Sequence, residues 1–258
     1  GAEATAPGPS VIDSGVVGIV GAACSGATLG AIAVAAEAGI PMVSYASTSP
    51  AVTTASDNGY LFRVVPSDAQ QAIALAVVVA AVGDSNPAVL YMTNDYGSGL
   101  ADNFAANWSG DVCTTNAYDP TEGSYDASTI AQSVIDAGCD SVVLVSYATD
   151  GAAIIEALKG QGFSGTIYGA DGIADAAFAD AFTDAAAVAG VIATKPRPGA
   201  ESSAQSAFNS AYSAAGGDAE GIYTHETYDA VKIIAHAALE GSDDIRDDLA
   251  SLGANYDG

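Results

Sequence analysis

Residues 127–168 read ASTIAQSVIDAGCDSVVLVSYATDGAAIIEALKGQGFSGTIY, in which short β-branched runs alternate with longer alanine-rich stretches. The apolar run Ser141–Val145 predicts a buried strand, and Thr166–Tyr168 predicts a second one. Ala127–Ala137 and Gly151–Lys159 are predicted to be helices. Strands that alternate with helices of this length indicate βαβ units, in which parallel strands form a sheet that helices cover on both faces.

The same alternation continues in both directions along the chain. Further strands are predicted at Val16–Val20, Pro41–Tyr45, Ala88–Met92, Val112–Tyr118 and Val188–Ala193. Further helices are predicted at Thr28–Ala38, Asp68–Val82, Gly99–Trp108, Ala174–Phe182, Ser202–Ala215, Tyr223–Leu239 and Asp244–Leu252. Two breaks, one near Arg63–Asp68 and one in the proline-containing run 195–198, divide the pattern. We therefore expect an α/β protein with two lobes: residues 1–67 and 197–258 form lobe I, and residues 68–196 form lobe II.

The chain carries 31 Asp and Glu residues against 6 Lys and Arg, which gives a formal net charge of −25. A surface this acidic repels phosphate backbones and anionic lipid head groups, so the charge argues against nucleic acid and membrane surfaces as partners. Two explanations of the acidity stay open: a saline habitat, where salt screens the self-repulsion, or the ordinary acidity of a secreted protein. The scarcity of lysine, found only at Lys159, Lys195 and Lys232, favours the saline habitat.

The three cysteines are Cys24, Cys113 and Cys139. Cys113 and Cys139 could form a disulfide in an oxidising compartment, provided that the strands carrying them are neighbours. The alternative is that both are small, buried apolar side chains, and the sequence favours neither reading. No CxxC spacing occurs, so a zinc site or a thioredoxin-like redox motif has no support.

Candidate ligand-binding loops follow from the predicted strands, because ligands of open parallel sheets bind beyond the carboxyl ends of the strands. These loops span residues 22–28, 46–49, 93–98, 146–150 and 169–173. They carry hydroxyl, tyrosine and acidic side chains: Ser25, Thr28, Ser47, Thr48, Tyr96, Tyr147, Asp95, Asp150 and Asp171. Hydroxyls at a helix N-terminus suit a carboxylate, an acid on another loop suits an ammonium group, and a tyrosine ring can flank either. The set predicts a site for a small zwitterion.

Signatures of catalysis and of metal binding are weak in this chain. Gly21–Gly26 has the glycine spacing of a phosphate loop, but Ala27 stands where the lysine should be. No serine lies in a GxSxG elbow. His225 and His236 are 11 residues apart (236 − 225) on one predicted helix, which is too far for both to bind one metal ion. We expect no enzymatic activity, no cofactor and no metal site.

Six motifs are found in order along the chain: VVGIVGAACSGAT (16–28), AAEAGIPMVSYASTSPAVT (35–53), LFRVVPSDAQQ (61–71), NDYGSGLADNF (94–104), SYATDGAAII (146–155) and IYGADGI (167–173). Together they resemble the branched-chain amino-acid (Leu/Ile/Val) binding proteins of ABC importers, which have the type I periplasmic-binding fold. The resemblance implies two Rossmann-like lobes with parallel sheets flanked by helices, which close on a ligand. It also implies that lobe I is incomplete, because the first two strand–helix elements and the last strands of the family have no counterpart. On this interpretation the chain is a fragment of a longer protein, and Cys24 aligns with a cysteine that in some relatives pairs within the missing part.

The resemblance also assigns roles to the loop residues. Ser25 and Thr48, with the backbone at Ala46 and the neighbouring Ser47, would hold the α-carboxylate of the ligand. Asp171 would meet the α-ammonium group, where many relatives have Glu. Tyr96 and Tyr147 would line the pocket from the other lobe.

A solute-binding receptor of an ABC importer is therefore the leading functional hypothesis. Its expected partners are an amino-acid-like small molecule and a permease, and it would act as a monomer in the periplasm or anchored by lipid at the cell surface. The alternative is a ligand-sensing domain of a membrane receptor or regulator, which would use the same clamp.

Overall fold

The computed structural model describes residues 12–197, 199, 202–241 and 244–255. These residues form two compact units. The middle unit comprises Ser67–Pro196, and the end unit comprises the described residues before Ser67 together with those from Arg197 onward. Each unit is built on its own parallel sheet.

The middle unit contains a five-stranded sheet in the order β5-β4-β6-β7-β8, and every neighbouring pair is parallel. Its strands are β4 (Pro87–Met92), β5 (Thr114–Tyr118), β6 (Ser141–Val145), β7 (Thr166–Gly169) and β8 (Val191–Ala193). Its helices are α3 (Asp68–Val82), α4 (Asp95–Asn107), α5 (Ala127–Ala137) and α6 (Ala148–Gly160). After β4 the chain turns towards β5, whereas after β6 it turns towards β7 on the other side. Such a reversal opens a crevice at the carboxyl ends of β4 and β6, where doubly wound sheets bind their ligands.

The end unit contains a three-stranded parallel sheet in the order β1-β2-β3. Its strands are β1 (Ile19–Val20), β2 (Met42–Ser44) and β3 (Leu61–Arg63). Its helices are α1 (Ser25–Glu37), the single turn α2 (Pro50–Thr53), α7 (Ser203–Ala214), α8 (Thr224–Glu240) and α9 (Ile245–Asn255). A core of Val43, Ala230, Ile233, Ile234, Ala237 and Leu249 joins α8 and α9 to the sheet.

Helix ends in the middle unit follow from local capping. Helix α3 begins after Ser67, whose side chain accepts a hydrogen bond from the Ala69 N–H, and ends at Gly83 in the left-handed conformation (φ 103°). Helix α5 begins after the N-cap residue Asp126 and ends at Gly138 (φ 71°). Both helices have the bounds that the sequence predicted.

Strand β6 is the centre of the middle unit's core. All five of its residues are buried, as expected for a strand that helices cover on both faces. Near the amino ends of the strands, a disulfide joins Cys113, just before β5, to Cys139, just before β6, with their Cα atoms 5.6 Å apart. The question that the sequence left open is thus resolved in favour of a disulfide, while Cys24 is a free, exposed thiol.

Helix α3 carries no charged residue after Asp68, and all of its residues after Gln71 are apolar. Its inner side chains enter the core, yet Ile73, Val77 and Val82 are at least half exposed. Nevertheless, none of the helices in the described ranges is long and apolar enough to cross a membrane.

The prediction of a helix over Ala174–Phe182 is wrong. The chain there forms separate 3₁₀ helices, Asp171–Ile173, Ala176–Ala181 and Ala185–Val188. Two buried aromatic rings, Phe178 and Phe182, anchor the segment edge-to-face at 4.9 Å. Glu156 Oε1 then accepts hydrogen bonds from the next backbone N–H groups, those of Thr183 (2.6 Å) and Asp184 (2.9 Å). These tertiary contacts override the helix propensity of the alanines.

Candidate functional site

Three of the predicted site residues lie together at the carboxyl ends of strands in the middle unit. Tyr96, in the first turn of α4, donates a hydrogen bond from its hydroxyl to Asp171 Oδ1 at 2.8 Å. The Gly172 N–H donates to the same hydroxyl oxygen at 3.1 Å. Tyr147, the N-cap residue of α6, stacks its ring on that of Tyr96, with the centroids 5.6 Å apart and the planes 6° from parallel. We call Tyr96, Tyr147 and Asp171 the middle-unit cluster.

Gly172 permits the close approach of the loops that carry this cluster. A Cβ atom at this position would lie 2.4 Å from the carbonyl oxygen of Ser146 and 3.0 Å from the Tyr96 hydroxyl. A side chain would therefore push the loop after β7 away from the loop after β6. Asp171 thus supplies the acid, and Gly172 lets the loop that carries it pack closely against Ser146 and Tyr96.

Burial raises the pKa of Tyr96 well above its ordinary value, and the nearby carboxylates of Asp171 and Asp68 raise it further. The phenol thus keeps its proton and acts as a donor to Asp171. Asp171 itself is only 5% exposed. A buried carboxyl group held by a phenol suits a cationic ligand group, which would restore the electrostatic stabilisation lost on burial.

A second buried acid, Asp150, lies in the first turn of α6, three residues after Tyr147. The Tyr118 hydroxyl donates to Asp150 Oδ2 at 2.5 Å, and the Tyr147 N–H points to the same carboxyl group at 3.3 Å. Burial raises the pKa of Asp150, and the hydrogen bond from Tyr118 opposes that rise. Asp150 was among the loop acids that the sequence singled out, but the sequence assigned it no role. The sequence analysis did not identify Tyr118 as a site residue, because the last residue of a predicted strand is interpreted as part of the hydrophobic core.

The end unit holds the predicted hydroxyl and backbone positions. Helix α1 begins at Ser25, and Ser25 Oγ accepts a hydrogen bond from the Ser49 N–H at 3.2 Å. Ser47 Oγ points inward, 2.8 Å from Thr28 Oγ1 and 3.1 Å from the carbonyl oxygen of Ala22. Ala46 is partly exposed on the same loop. We call Ser25, Ala46, Ser47 and Thr48 the end-unit cluster.

Thr48 differs from its neighbours in this cluster. Its side chain is 1% exposed, and its hydroxyl oxygen has no hydrogen-bond partner within the described part of the chain. A buried hydroxyl without a partner costs about 1–3 kcal/mol, so such groups are uncommon unless a ligand completes them.

The two histidines that the sequence placed on one helix both lie on α8. The Nε2 atom of His225 is 2.7 Å from Asn209 Oδ1, and its ring packs against Phe208. Within the described ranges, no group of three or more His, Cys, Asp or Glu side chains is placed to hold a metal ion.

The model of the family described as "Receptor family ligand binding region" matches residues 3–252 of the chain. The chain belongs to this family. Leu/Ile/Val-binding protein homolog 3 of Brucella melitensis is 28% identical over 170 residues, which are 65% of this chain and 46% of that protein. The chain therefore spans about half the length of that relative. Metabotropic glutamate receptor 6 of Rattus norvegicus is 33% identical over 100 residues, which are 38% of this chain and 12% of the receptor.

Among solved structures, the chain is similar to the branched-chain amino acid transporter substrate binding protein LivJ of Streptococcus pneumoniae in complex with isoleucine. The identity is 26%, the TM-score is 0.79, and the alignment covers 94% of this chain and 71% of that one. The family resemblance drawn from the six motifs is thus confirmed. The α/β fold with helix-flanked parallel sheets, of the type I periplasmic-binding class, is confirmed as well.

Proposed function

We propose that the chain is the solute-binding part of an extracytoplasmic receptor of an ABC importer, and that its solute is an amino acid, in the first place a branched-chain one. The buried hydroxyl of Thr48, which has no partner in the described residues, carries the proposal. An oxygen atom of a ligand carboxylate would complete its hydrogen bonding. Asp171, buried and held by Tyr96, offers the opposite charge for an α-ammonium group.

The roles of the two clusters follow from this chemistry. The end-unit cluster, with Ser25 at the start of α1 and Thr48 on the neighbouring loop, takes the carboxylate, because a helix N-terminus favours negative charge. The middle-unit cluster takes the ammonium group at Asp171, and the stacked rings of Tyr96 and Tyr147 give that cluster an apolar surface. The names of the relatives, a Leu/Ile/Val-binding protein and an isoleucine-bound transporter protein, support this choice of solute.

The Cys113–Cys139 disulfide supports a location outside the cytoplasm, because such bonds persist in oxidising compartments. The transport partner would be a permease, to which the receptor delivers its solute as a monomer. Binding and release of an unchanged solute require no catalytic group.

A sensing domain is the second candidate function. The observation in its favour is the similarity to metabotropic glutamate receptor 6, which extends over 38% of this chain. A sensor would bind its ligand with the same clusters, so the ligand alone does not separate the two functions. If the chain pulls down a permease complex from solubilised membranes, the result favours the importer receptor over the sensing domain.

Calorimetric titration of the chain with leucine, isoleucine and valine tests the proposal. Valinamide, which lacks the carboxylate charge, and isovalerate, which lacks the ammonium group, serve as ligands that lack one charged group each. We expect saturable binding of the amino acids. Asp171→Asn should weaken it by roughly 2–5 kcal/mol, because the variant leaves an ammonium group unpaired. Thr48→Val should weaken it by about 1–3 kcal/mol.

Two exposed positions provide matched controls. Asp102→Asn removes one acid from the outer face of α4, and Thr54→Val removes one hydroxyl just after α2. Both variants should bind leucine with the same affinity as the unchanged chain. Equal binding of leucine by Asp171→Asn and Asp102→Asn would remove Asp171 from the site, and no binding of any amino acid would refute the proposed solute.

A further inference from the structure

Gln71, near the start of helix α3, contacts the residue that follows strand β8. Its Nε2 atom donates hydrogen bonds to two oxygens of Thr194, the carbonyl oxygen at 2.9 Å and Oγ1 at 3.1 Å. Gln71 is only 9% exposed, and its Oε1 atom has no hydrogen-bond partner within the described part of the chain. Among the described residues, the side chain of Gln71 therefore bonds to Thr194 alone.

Strand β8 depends on such a contact, because it is short and lies at the edge of the five-stranded sheet. It has three residues, two of which are exposed, and in the described ranges β7 is its one neighbour in the sheet. The end of such a strand opens easily, since few buried contacts hold it. The amide of Gln71 holds the carboxyl end of β8 from α3, an element outside the sheet.

Thr194 in turn holds the strand that leads to Asp171. The Thr194 N–H donates to the carbonyl oxygen of Gly169, the last residue of β7, at 3.1 Å. Asp171 follows two residues later and begins a 3₁₀ turn. This turn packs closely on the strand end, because a Cβ atom on Gly169 would lie 2.3 Å from Cδ1 of Ile173. A shift of Thr194 would therefore move the turn, and with it the carboxyl group of Asp171.

The position of this carboxyl group is closely determined. Asp171 Oδ1 accepts the hydrogen bond from Tyr96 at 2.8 Å, so the phenol and a ligand ammonium group would share one carboxylate. Hydrogen bonds weaken steeply as their geometry worsens, and a displaced carboxylate would serve the two donors less well. The start of α3 also lies near this cluster, since the carboxylate of Asp68 raises the pKa of Tyr96.

We propose that Gln71 is a positioning residue for the ligand's ammonium group: its amide holds Thr194, Thr194 holds the end of β7, and Asp171 is thereby kept in place to bind the ammonium group. The inference rests on the proposed function, because it assigns the ammonium group to Asp171. Gln71 acts through Thr194 and does not itself contact the ligand.

Gln71→Met tests this role, because methionine has nearly the shape of glutamine but cannot donate the two hydrogen bonds. Gln161→Met is a matched control in the same unit. The Nε2 atom of Gln161 also donates to a carbonyl oxygen and a hydroxyl of one residue, Ser128, at 3.0 and 2.9 Å. Gln161 lies at the C-terminus of α6, whereas Tyr147 of the middle-unit cluster lies at its N-terminus. The two variants thus lose the same kind of contact, and only Gln71→Met loses one that leads to Asp171.

Amide hydrogen exchange, followed by NMR, shows whether the end of β8 is released. We expect the Thr194 N–H to exchange at least about 10-fold faster in Gln71→Met, because its hydrogen bond to Gly169 opens more often. Gln161→Met should leave that rate unchanged. An unchanged rate in a folded Gln71→Met variant would overturn the inference.

A double-mutant cycle with Asp171→Asn shows whether Gln71 acts through Asp171. The readout is the affinity for leucine, measured by calorimetry or, for weak variants, by NMR titration. Gln71→Met should weaken binding by about 10-fold in the unchanged chain but by less than about 2-fold in the Asp171→Asn background, where no carboxylate is left to position. A residue that only stabilises the fold would reduce binding by the same factor in both backgrounds. Gln161→Met should bind leucine with the affinity of the unchanged chain.

Thermal melting of each variant shows whether it folds. If Gln71→Met unfolds, Thr194→Val takes its place, because valine keeps the shape of threonine and removes only the hydroxyl acceptor. We expect this variant to bind leucine about 3-fold more weakly, the effect of one lost hydrogen bond.

Three results would overturn the inference alone: unchanged leucine affinity in the folded variant, equal losses in the two backgrounds of the cycle, or an equal loss in Gln161→Met. Leucine binding that is unaffected by Asp171→Asn would overturn the role of Asp171. An unchanged chain that binds no amino acid would overturn the proposed function. Either of these last two results removes the inference as well.

Discussion

Removal of the Cys113–Cys139 disulfide should destabilise the middle unit by an amount that can be worked out from the length of the loop it closes. The two cysteines are 26 positions apart in the sequence. In the chain-entropy treatment, a loop of this length lowers the entropy of the unfolded chain by about 12 cal/mol/K, equivalent to about 3.5 kcal/mol at room temperature. Both cysteines are replaced by alanine rather than serine, because Cys139 packs against the hydrophobic core and a serine hydroxyl there would be buried in apolar surroundings.

Urea denaturation of Cys113→Ala/Cys139→Ala measures this loss. The variant should also show a larger slope of unfolding free energy against urea, because its unfolded chain expands further. Cys24→Ala is the control, since it removes an exposed thiol that forms no disulfide in this chain. Leucine affinity should be the same in all three proteins, because the bridge lies near the amino ends of the strands and the middle-unit cluster lies at their carboxyl ends. A loss below about 1 kcal/mol relative to Cys24→Ala would refute the loop-entropy argument.

Two further predictions concern charge. Tyr118→Phe should raise the pKa of Asp150 further, because the Tyr118 hydrogen bond is the largest contribution that lowers it, and NMR titration of the Asp150 carboxyl carbon would detect the shift. Burial raises the pKa of Asp150 above its value in the unfolded chain, so the stability contributed by the neutral carboxyl group is complete below the unfolded pKa. This stability is lost as pH rises through the folded pKa, and in Tyr118→Phe it should be lost at a higher pH. An unshifted Asp150 titration would contradict the assigned hydrogen bond. The melting temperature should rise with NaCl into the molar range, because salt screens repulsion within a chain of net charge −25, and a flat response would argue against salt adaptation.

The elements that the sequence predicted with correct bounds are those with local signals. Helix α5 has Asp126 before it and Gly138 after it, and strand β6 is an uninterrupted apolar run. Strand β3 was not predicted, because its last residue, Arg63, begins the stretch that the sequence analysis interpreted as a break between the lobes. The helix predicted over Ala174–Phe182 failed for a different reason. Its alanines favour a helix locally, but Glu156, distant in sequence, binds the backbone that follows.

The candidate site shows the same division between local and long-range information. Tyr96, Tyr147 and Asp171 were placed at strand ends by the alternation of elements, and the structure brings these three together. The hydrogen bond from Tyr118 to Asp150 could not be predicted, because it joins residues 32 positions apart through the packing of α6 on the sheet. The contact of Gln71 with Thr194 joins residues 123 positions apart, and no local pattern encodes it.

The exposed apolar side chains of helix α3 limit the salt concentration up to which the protein stays in solution. Salt that relieves repulsion between carboxylates also strengthens the association of apolar surfaces. Ile73 and Val77 lie about one turn apart on α3 and form an uncharged exposed patch on an acidic molecule, so neighbouring copies meet little repulsion there. Solubility should therefore pass through an optimum as salt rises, because association through such patches replaces charge repulsion as the limit.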